Sequence, residues 1–187
     1  HPFSTQTQKG CSGKAEPQSS EDARFIIYRH GGGYARFFRH DLPVAGRREI
    51  ENMTGVEATE GSEAIGRILG STDVFAGRTY VCESVPDTAE YPSVARKDDQ
   101  FVINHDGQLV SRAWSVREND VSAEVAVETL PAFQREGLAS QTTKAWVADV
   151  LKKGKVAFFS HAEDNFASRG LAQALNLAEF ARFAAYG

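Results

Sequence analysis

In the stretch Ala123-Glu124-Val125-Ala126-Val127-Glu128-Thr129-Leu130-Pro131-Ala132-Phe133-Gln134-Arg135-Glu136-Gly137-Leu138-Ala139 the hydrophobic period changes midway. From Val121, the apolar residues Val121, Ala123, Val125 and Val127 alternate with Ser122, Glu124, Ala126 and Glu128. Period two predicts a strand with two unlike faces. Pro131 offers no ladder N–H and stops it. After Gly137, Leu138, Ala145, Trp146 and Val150 fall near one face at 3.6 residues per turn, which predicts a helix. Lys152 and Lys153 favour its negative end, and Gly154 closes it. The first amides of a helix have no internal partner and sit at the positive end of the macrodipole, so they bind anions. Gly137 has no Cβ to hold a phosphate away, and Ala139 is small. A diphosphate is the natural guest. The letters Q-x-x-G-x-A alone also fit an ordinary strand-to-helix loop, so the surroundings decide.

Downstream, Val156 to Phe159 predicts a buried strand. Asp164 or Asn165 then caps a second helix, in which Leu171 and Leu175 lie one turn apart, and Glu179 to Tyr186 is a last strand. Upstream, Gln100 to Asn104 and Gln108 to Val116 flank Asp106-Gly107, a two-residue hairpin turn. Phe25 to Tyr28 and Tyr34 to Phe38 flank the Gly31-Gly32-Gly33 run. This run is a hairpin turn rather than a phosphate cradle, because no helical pattern follows it. Arg47 to Met53 and Ser62 to Leu69 predict short helices, and Thr79 to Cys82 a strand. The coarse order is an α/β or α+β sheet with helices packed on it. We divide the chain into a flexible arm (1–23), a hairpin with helices in the same or a small accessory domain (24–99), and a core (100–187).

Composition narrows the function classes. Net charge is -4 without a basic block, so no nucleic-acid footprint is expected. No apolar run nears the ~20 residues that span a bilayer, so no membrane association is expected either. Cys11 and Cys82 stand alone, as two free thiols in a reducing cytoplasm would. The histidines lack Glu or Cys at metal spacing, so no metal site is expected.

The strand, the Gln134 to Ala139 loop, Trp146 in the helix, and Phe159-Ser160-His161 followed by Asp164-Asn165-Phe166-Ala167-Ser168 resemble the GNAT superfamily of N-acetyltransferases, in its FR47-like branch. The resemblance implies a mixed, mostly antiparallel central sheet flanked by helices, and acetyl-CoA (coenzyme A) as cofactor. It implies that the strand before the loop splays from its neighbour and takes the thioester arm in the gap. Backbone groups of Val127, Glu128 and Thr129 would pair with the pantetheine amides. Gln134, Arg135, Glu136, Gly137, Leu138, Ala139 and Ser140 would form the pyrophosphate loop. Asn165 and Ser168 fall where the family contacts the cofactor arm. The family's helix tyrosine that protonates the leaving thiolate corresponds here to Ala172, with Tyr186 or Ser168 as conceivable substitutes.

Transfer to an amine needs a proton acceptor near the thioester. Glu128, nearer the splayed end, is the first candidate. Glu124 on the same strand face and His161 at the end of the next strand are the others. Each also has a plain reading, a solvated or salt-bridged strand residue or a core histidine. Trp114, Phe133, Phe158 and Phe159 line a pocket or fill the core. The expected activity is acetyl transfer to a primary amine of a small molecule, in a monomer or homodimer. The alternatives are a protein Lys or N-terminal acetyltransferase, a non-catalytic CoA-binding module, and a loop that holds another nucleotide.

Overall fold

The computed structural model describes residues 23–60, 62–84 and 93–187. The expected arm and Cys11 lie almost wholly or wholly outside them. In chain order the elements are β1 (Phe25–His30), β2 (Gly33–Phe38), α1 (Val44–Asn52), α2 (Gly55–Glu60), α3 (Ser62–Leu69), β3 (Val74–Cys82), β4 (Ala95–Lys97) and β5 (Gln100–His105). Then come β6 (Gln108–Glu118), β7 (Ser122–Thr129), α4 (Leu138–Lys152), β8 (Val156–Ala162), α5 (Phe166–Ala174) and β9 (Ala178–Tyr186). The short α2 and β4 carry no period that sequence could show. The strands of the described residues form one mixed sheet in the order β2-β1-β9-β3-β8-β7-β6-β5-β4. Every pairing is antiparallel except β7 with β8. Segment 24–99 therefore shares the sheet of the C-terminal half, since β1 and β3 both pair with β9 and β3 pairs with β8.

The helices cover one face. Phe25 and Ile27 of β1, with Ala184 and Tyr186 opposite them on β9, pack against Leu42, Ile50, Ala58, Ile65 and Leu69 from the α1–α3 region. On the same side, Tyr80, Cys82, Ala113, Val125, Ala157 and Phe159 meet Trp146, Val147 and Val150 of α4 and Ala172 of α5. Alternation then sends Phe158, Ser160, Glu124, Ala126, Glu128, Arg112 and Trp114 to the opposite, helix-free face. Gly77 lets β3 and β8 approach closely, because a Cβ there would run into the His161 carbonyl and the Phe183 ring.

Burial sets the thiol of Cys82 apart from reactive cysteines, since desolvation pushes it up to about 11. Among the described residues no helix is long and apolar enough to cross a membrane.

Trp146 anchors α4 by burying its ring and donating its indole N–H to Ser115 Oγ at 3.1 Å. Trp146→Ala should lower unfolding free energy by about 3–5 kcal/mol, read from denaturant midpoints at unchanged slope.

Candidate active site

Pairing between β7 and β8 stops early. Ser122, Ala123 and Glu124 face Val156, Ala157 and Phe158, and no pairing continues from Val125 to Thr129. Beyond Glu124 and Phe158 the strands separate, which leaves a V-shaped gap in the sheet. One side of this gap is the unpaired edge of β7, including Val127, Glu128 and Thr129. On its other edge β7 stays paired with β6 from Ser111↔Thr129 to Glu118↔Ala123, with one bulge between Ser115 and Arg117. The unpaired main-chain groups of β7 are therefore held rigidly in place.

The loop after β7 is anchored at several points. Leu130 N–H donates to Val110 O at 2.9 Å, and a 3-10 turn covers Pro131–Phe133. Three hydroxyls link the end of β7 to α4: Ser111 Oγ lies 2.9 Å from Thr129 Oγ1 and 3.4 Å from Thr142 Oγ1. Ser111 and Thr142 are fully buried, so this cluster fixes the angle between strand and helix. Gln134 Nε2 donates back to Thr129 O at 3.4 Å.

Gly137 precedes α4 in the left-handed region, φ 78 and ψ 3, and caps it without a side chain. The first backbone bond of the helix runs from Gln141 N–H to Gly137 O at 3.1 Å. The amides of Leu138, Ala139 and Ser140 precede that bond and face out of the helix end. A Cβ on Gly137 would meet nothing within 4 Å, so the space before these amides is open. Arg135, also at positive φ, and Gln134, Glu136 and Gly137 are exposed. This cradle fits a pyrophosphate in charge, access and rigidity, and the gap beside it fits an extended arm.

The three proton-acceptor candidates are not brought together. Glu124 and Glu128 share the helix-free face of β7. Glu128 Oε2 accepts two bonds from Arg112, at 3.0 and 2.7 Å, at the open end of the gap. Arg112 in turn stacks over Trp114, 4.5 Å from the ring centroid. Glu124 sits at the apex, where its Oε2 accepts from Arg117 Nε at 2.9 Å. His161 lies on the other face, under the helices, and is 5% exposed. Its Nδ1 is 2.6 Å from Ala162 O and so carries the proton, which leaves Nε2 to accept from Tyr80 O–H at 3.2 Å. That environment makes it a core histidine satisfied on both nitrogens.

Asn165 caps α5, its Oδ1 accepting from Ser168 N–H at 2.9 Å. Both stand at the helix start beside the end of β8. Ala172 is buried in the core. Tyr186 does not stand in for a tyrosine there: it is buried in the other cluster, stacks on Phe25 and donates to Ala58 O at 3.0 Å. Phe159 is core, whereas Phe158 faces the helix-free side.

On that side, directly at the apex, lies a cavity of about 750 Å³. Glu124, Ser122 and Phe158 from β7 and β8 line it together with Tyr28, Phe37 and Phe180 from β1, β2 and β9. Strands separated by three others meet across it, so the sheet is curled with its helix-free face concave. Burial, and then the charge of Glu124, raise the Tyr28 phenol above its ordinary value. Cross-sheet convergence of this kind leaves no pattern in any single strand, and the bulge between Ser115 and Arg117 hides the Arg117–Glu124 pairing from a regular register.

The model of the GNAT acetyltransferase family matches residues 100–186. Over this segment the chain is similar to the GNAT acetyltransferases. No curated protein matches it in sequence. A GNAT-family acetyltransferase from Novosphingobium aromaticivorans has a similar fold, with TM-score 0.51, 20% identity and coverage of 60% of this chain. The chain spans 63% of that protein's length. A GCN5-related N-acetyltransferase-like protein from Streptococcus suis aligns over 90% of this chain and 86% of its own, at TM-score 0.52 and 16% identity. A Drosophila protein aligns over 91% and 77%, at TM-score 0.50 and 13% identity. The matched segment contains β7, the loop and α4, and the earlier strands extend its sheet.

A charge network holds the turn that presents Asn165. Arg78 donates to Glu163 at 2.6 Å and to Glu179 at 2.8 Å, and Arg182 binds Glu179 at 2.9 Å. The hydrogen bond from Arg78 holds the Glu163 carboxyl below its ordinary 4.5. Burial pushes Glu179 up, but Arg182 and Arg78 outweigh it and hold it low as well. A lowered carboxylate contributes stability that is complete above its unfolded value and is lost as pH falls through the folded one. Melting temperature should therefore drop as pH falls below about 4.5, and Arg78→Ala should flatten that part of the profile.

Proposed function

We propose that the protein transfers an acetyl group from acetyl-CoA to a primary amine of a small molecule. The observation that carries this reading is the V-shaped gap, with an anion cradle at its open end and a cavity at its apex. The amides of Leu138, Ala139 and Ser140 would hold the pyrophosphate, with Gln134 to Gly137 shaping the loop. Main-chain groups of Val127, Glu128 and Thr129 on the gap edge would pair with the pantetheine, and Asn165 and Ser168 would flank it. An arm that starts at the C-terminal end of β7 runs back along the strand, so its far end points to the apex. The helices close one face there, and the amine can approach only from the other.

This approach favours Glu124 over Glu128 as proton acceptor. Both carboxylates pair with an arginine, but Glu124 lies at the apex and on the cavity wall, whereas Glu128 lies nearer the mouth and does not line the cavity. Acetyl-CoA would supply the acyl group as a thioester: as the amine C–N bond forms and C–S breaks, Glu124 would take one amine proton and return it, directly or through water, to the departing sulfur, which would leave as the thiol. Arg117 orients the carboxylate, and the apolar walls exclude water and keep the amine neutral. Buried His161 has no part in this.

Two measurements test the assignment. Gly137→Val forces a β-branched residue to φ 78 and fills the space before the amides. It should weaken CoA binding at least about tenfold by calorimetry, with the far-ultraviolet spectrum kept. Glu124→Gln should lower kcat about 10²–10⁴-fold with CoA affinity unchanged, and Glu128→Gln should act mainly on KM. Full activity in Glu124→Gln would exclude it as the base, and unchanged CoA affinity in Gly137→Val would exclude the loop.

A further inference from the structure

We infer that the acceptor is a primary amine carried on an aromatic or bulky apolar body, bound in the helix-free cavity. This rests on the acetyl-transfer reading and adds the substrate class to it. The cavity of about 750 Å³ is within the ~300–1,000 Å³ of small-molecule sites and much larger than a short alkyl amine needs.

Its walls are rings. Tyr28 meets Phe37 edge-on with centroids 5.8 Å apart, and Phe158 meets Phe180 at 5.7 Å. His30 stacks on Phe180 at 6.0 Å. Phe37 is 57% and Phe180 49% exposed, although both line a concavity. Such rings stay in water until an apolar ligand covers them, and a cluster of them marks a binding surface. Ile26 and Ala35 complete the apolar lining. The Thr79–Ser160 hydroxyl pair, 3.0 Å apart, adds neutral polar groups on β3 and β8.

The charges select against polycations. Two carboxylates reach the cavity, and each already has a cation: Arg117 for Glu124 at 2.9 Å, and Lys155 for Glu118 at 2.7 Å. A polyamine or amino sugar would bring several ammonium groups to a site with no surplus of negative charge. A monoamine needs only one polar partner, at Glu124, and buries the rest of its surface against the rings.

The test uses the whole chain, with 2-phenylethylamine, spermidine and a lysine-containing peptide as acceptors, and CoA titrated separately. We expect 2-phenylethylamine to exceed both others in kcat/KM by at least about tenfold. Phe37→Ala and Phe180→Ala should each raise its KM about tenfold with kcat and CoA affinity nearly unchanged. Both rings are exposed, so unaltered melting temperatures will confirm that the variants fold. A protein that binds CoA but prefers spermidine or the peptide overturns the substrate class, as does an unchanged KM in both variants. Failure to bind CoA overturns the acetyl-transfer reading itself.

Discussion

The separation of β7 from β8 beyond Glu124 and Phe158 controls the rest of this molecule. A parallel pair buried in a sheet ordinarily continues its ladder, because main-chain groups left unpaired away from water are costly. Here β7 stays paired with β6 on both sides of a bulge and loses its pairing to β8 after Glu124. The unpaired edge is tolerated because it faces a gap that water or an extended ligand can enter. An arm with its own amides can take the place of the missing strand, and the anion cradle at the open end sets its direction. Loop, gap and cavity are in this way consequences of one interruption.

The two faces of the sheet then divide the work. The helical face is packed with Trp146, Val147, Val150, Phe159 and Ala172, and it holds the gap's rear wall in place. Buried hydroxyls of Ser111 and Thr142 tie α4 to the strands, so the angle at which its amides meet an anion is set by interior contacts rather than by the exposed loop. The opposite face carries the charged pairs Arg112–Glu128 and Arg117–Glu124. Exposed ion pairs contribute little to stability. Their residence on the face open to an acceptor suits orientation of carboxylates better than support of the fold.

Much of this was legible in the sequence because it is local. The alternation from Val121 to Glu128 and the switch to helical period after Gly137 depend only on neighbours in the chain, and both elements form close to the expected bounds. Asn165 was readable as a cap for the same reason. His161 was not readable: a histidine at a strand end looks the same whether it faces a cavity or a core. Its fate follows from Tyr80 on β3, far away in sequence. The place of Tyr186 depends on the same non-locality, since its hydroxyl donates to Ala58 O from another part of the chain. The cavity was the least legible of all, because its lining comes from β1, β2, β3, β6, β7, β8 and β9.

The N-terminal segment gains a role from this geometry. Its strands β1 and β3 flank β9 in the sheet, and Phe25 and Ile27 of β1 pack against the α1–α3 region, so by packing alone they would be an edge extension. Yet Ile26, Tyr28, Ala35 and Phe37 turn their side chains to the other face, toward Glu124. Without the curl of the sheet these residues would be three or more strands away from the apex. With the curl, the segment before the matched residues 100–186 becomes one wall of the space in which an acceptor would sit, while the matched segment would provide the donor side. A division in which one half of a sheet holds the common donor and the other half shapes the acceptor space lets the second vary without disturbing the first.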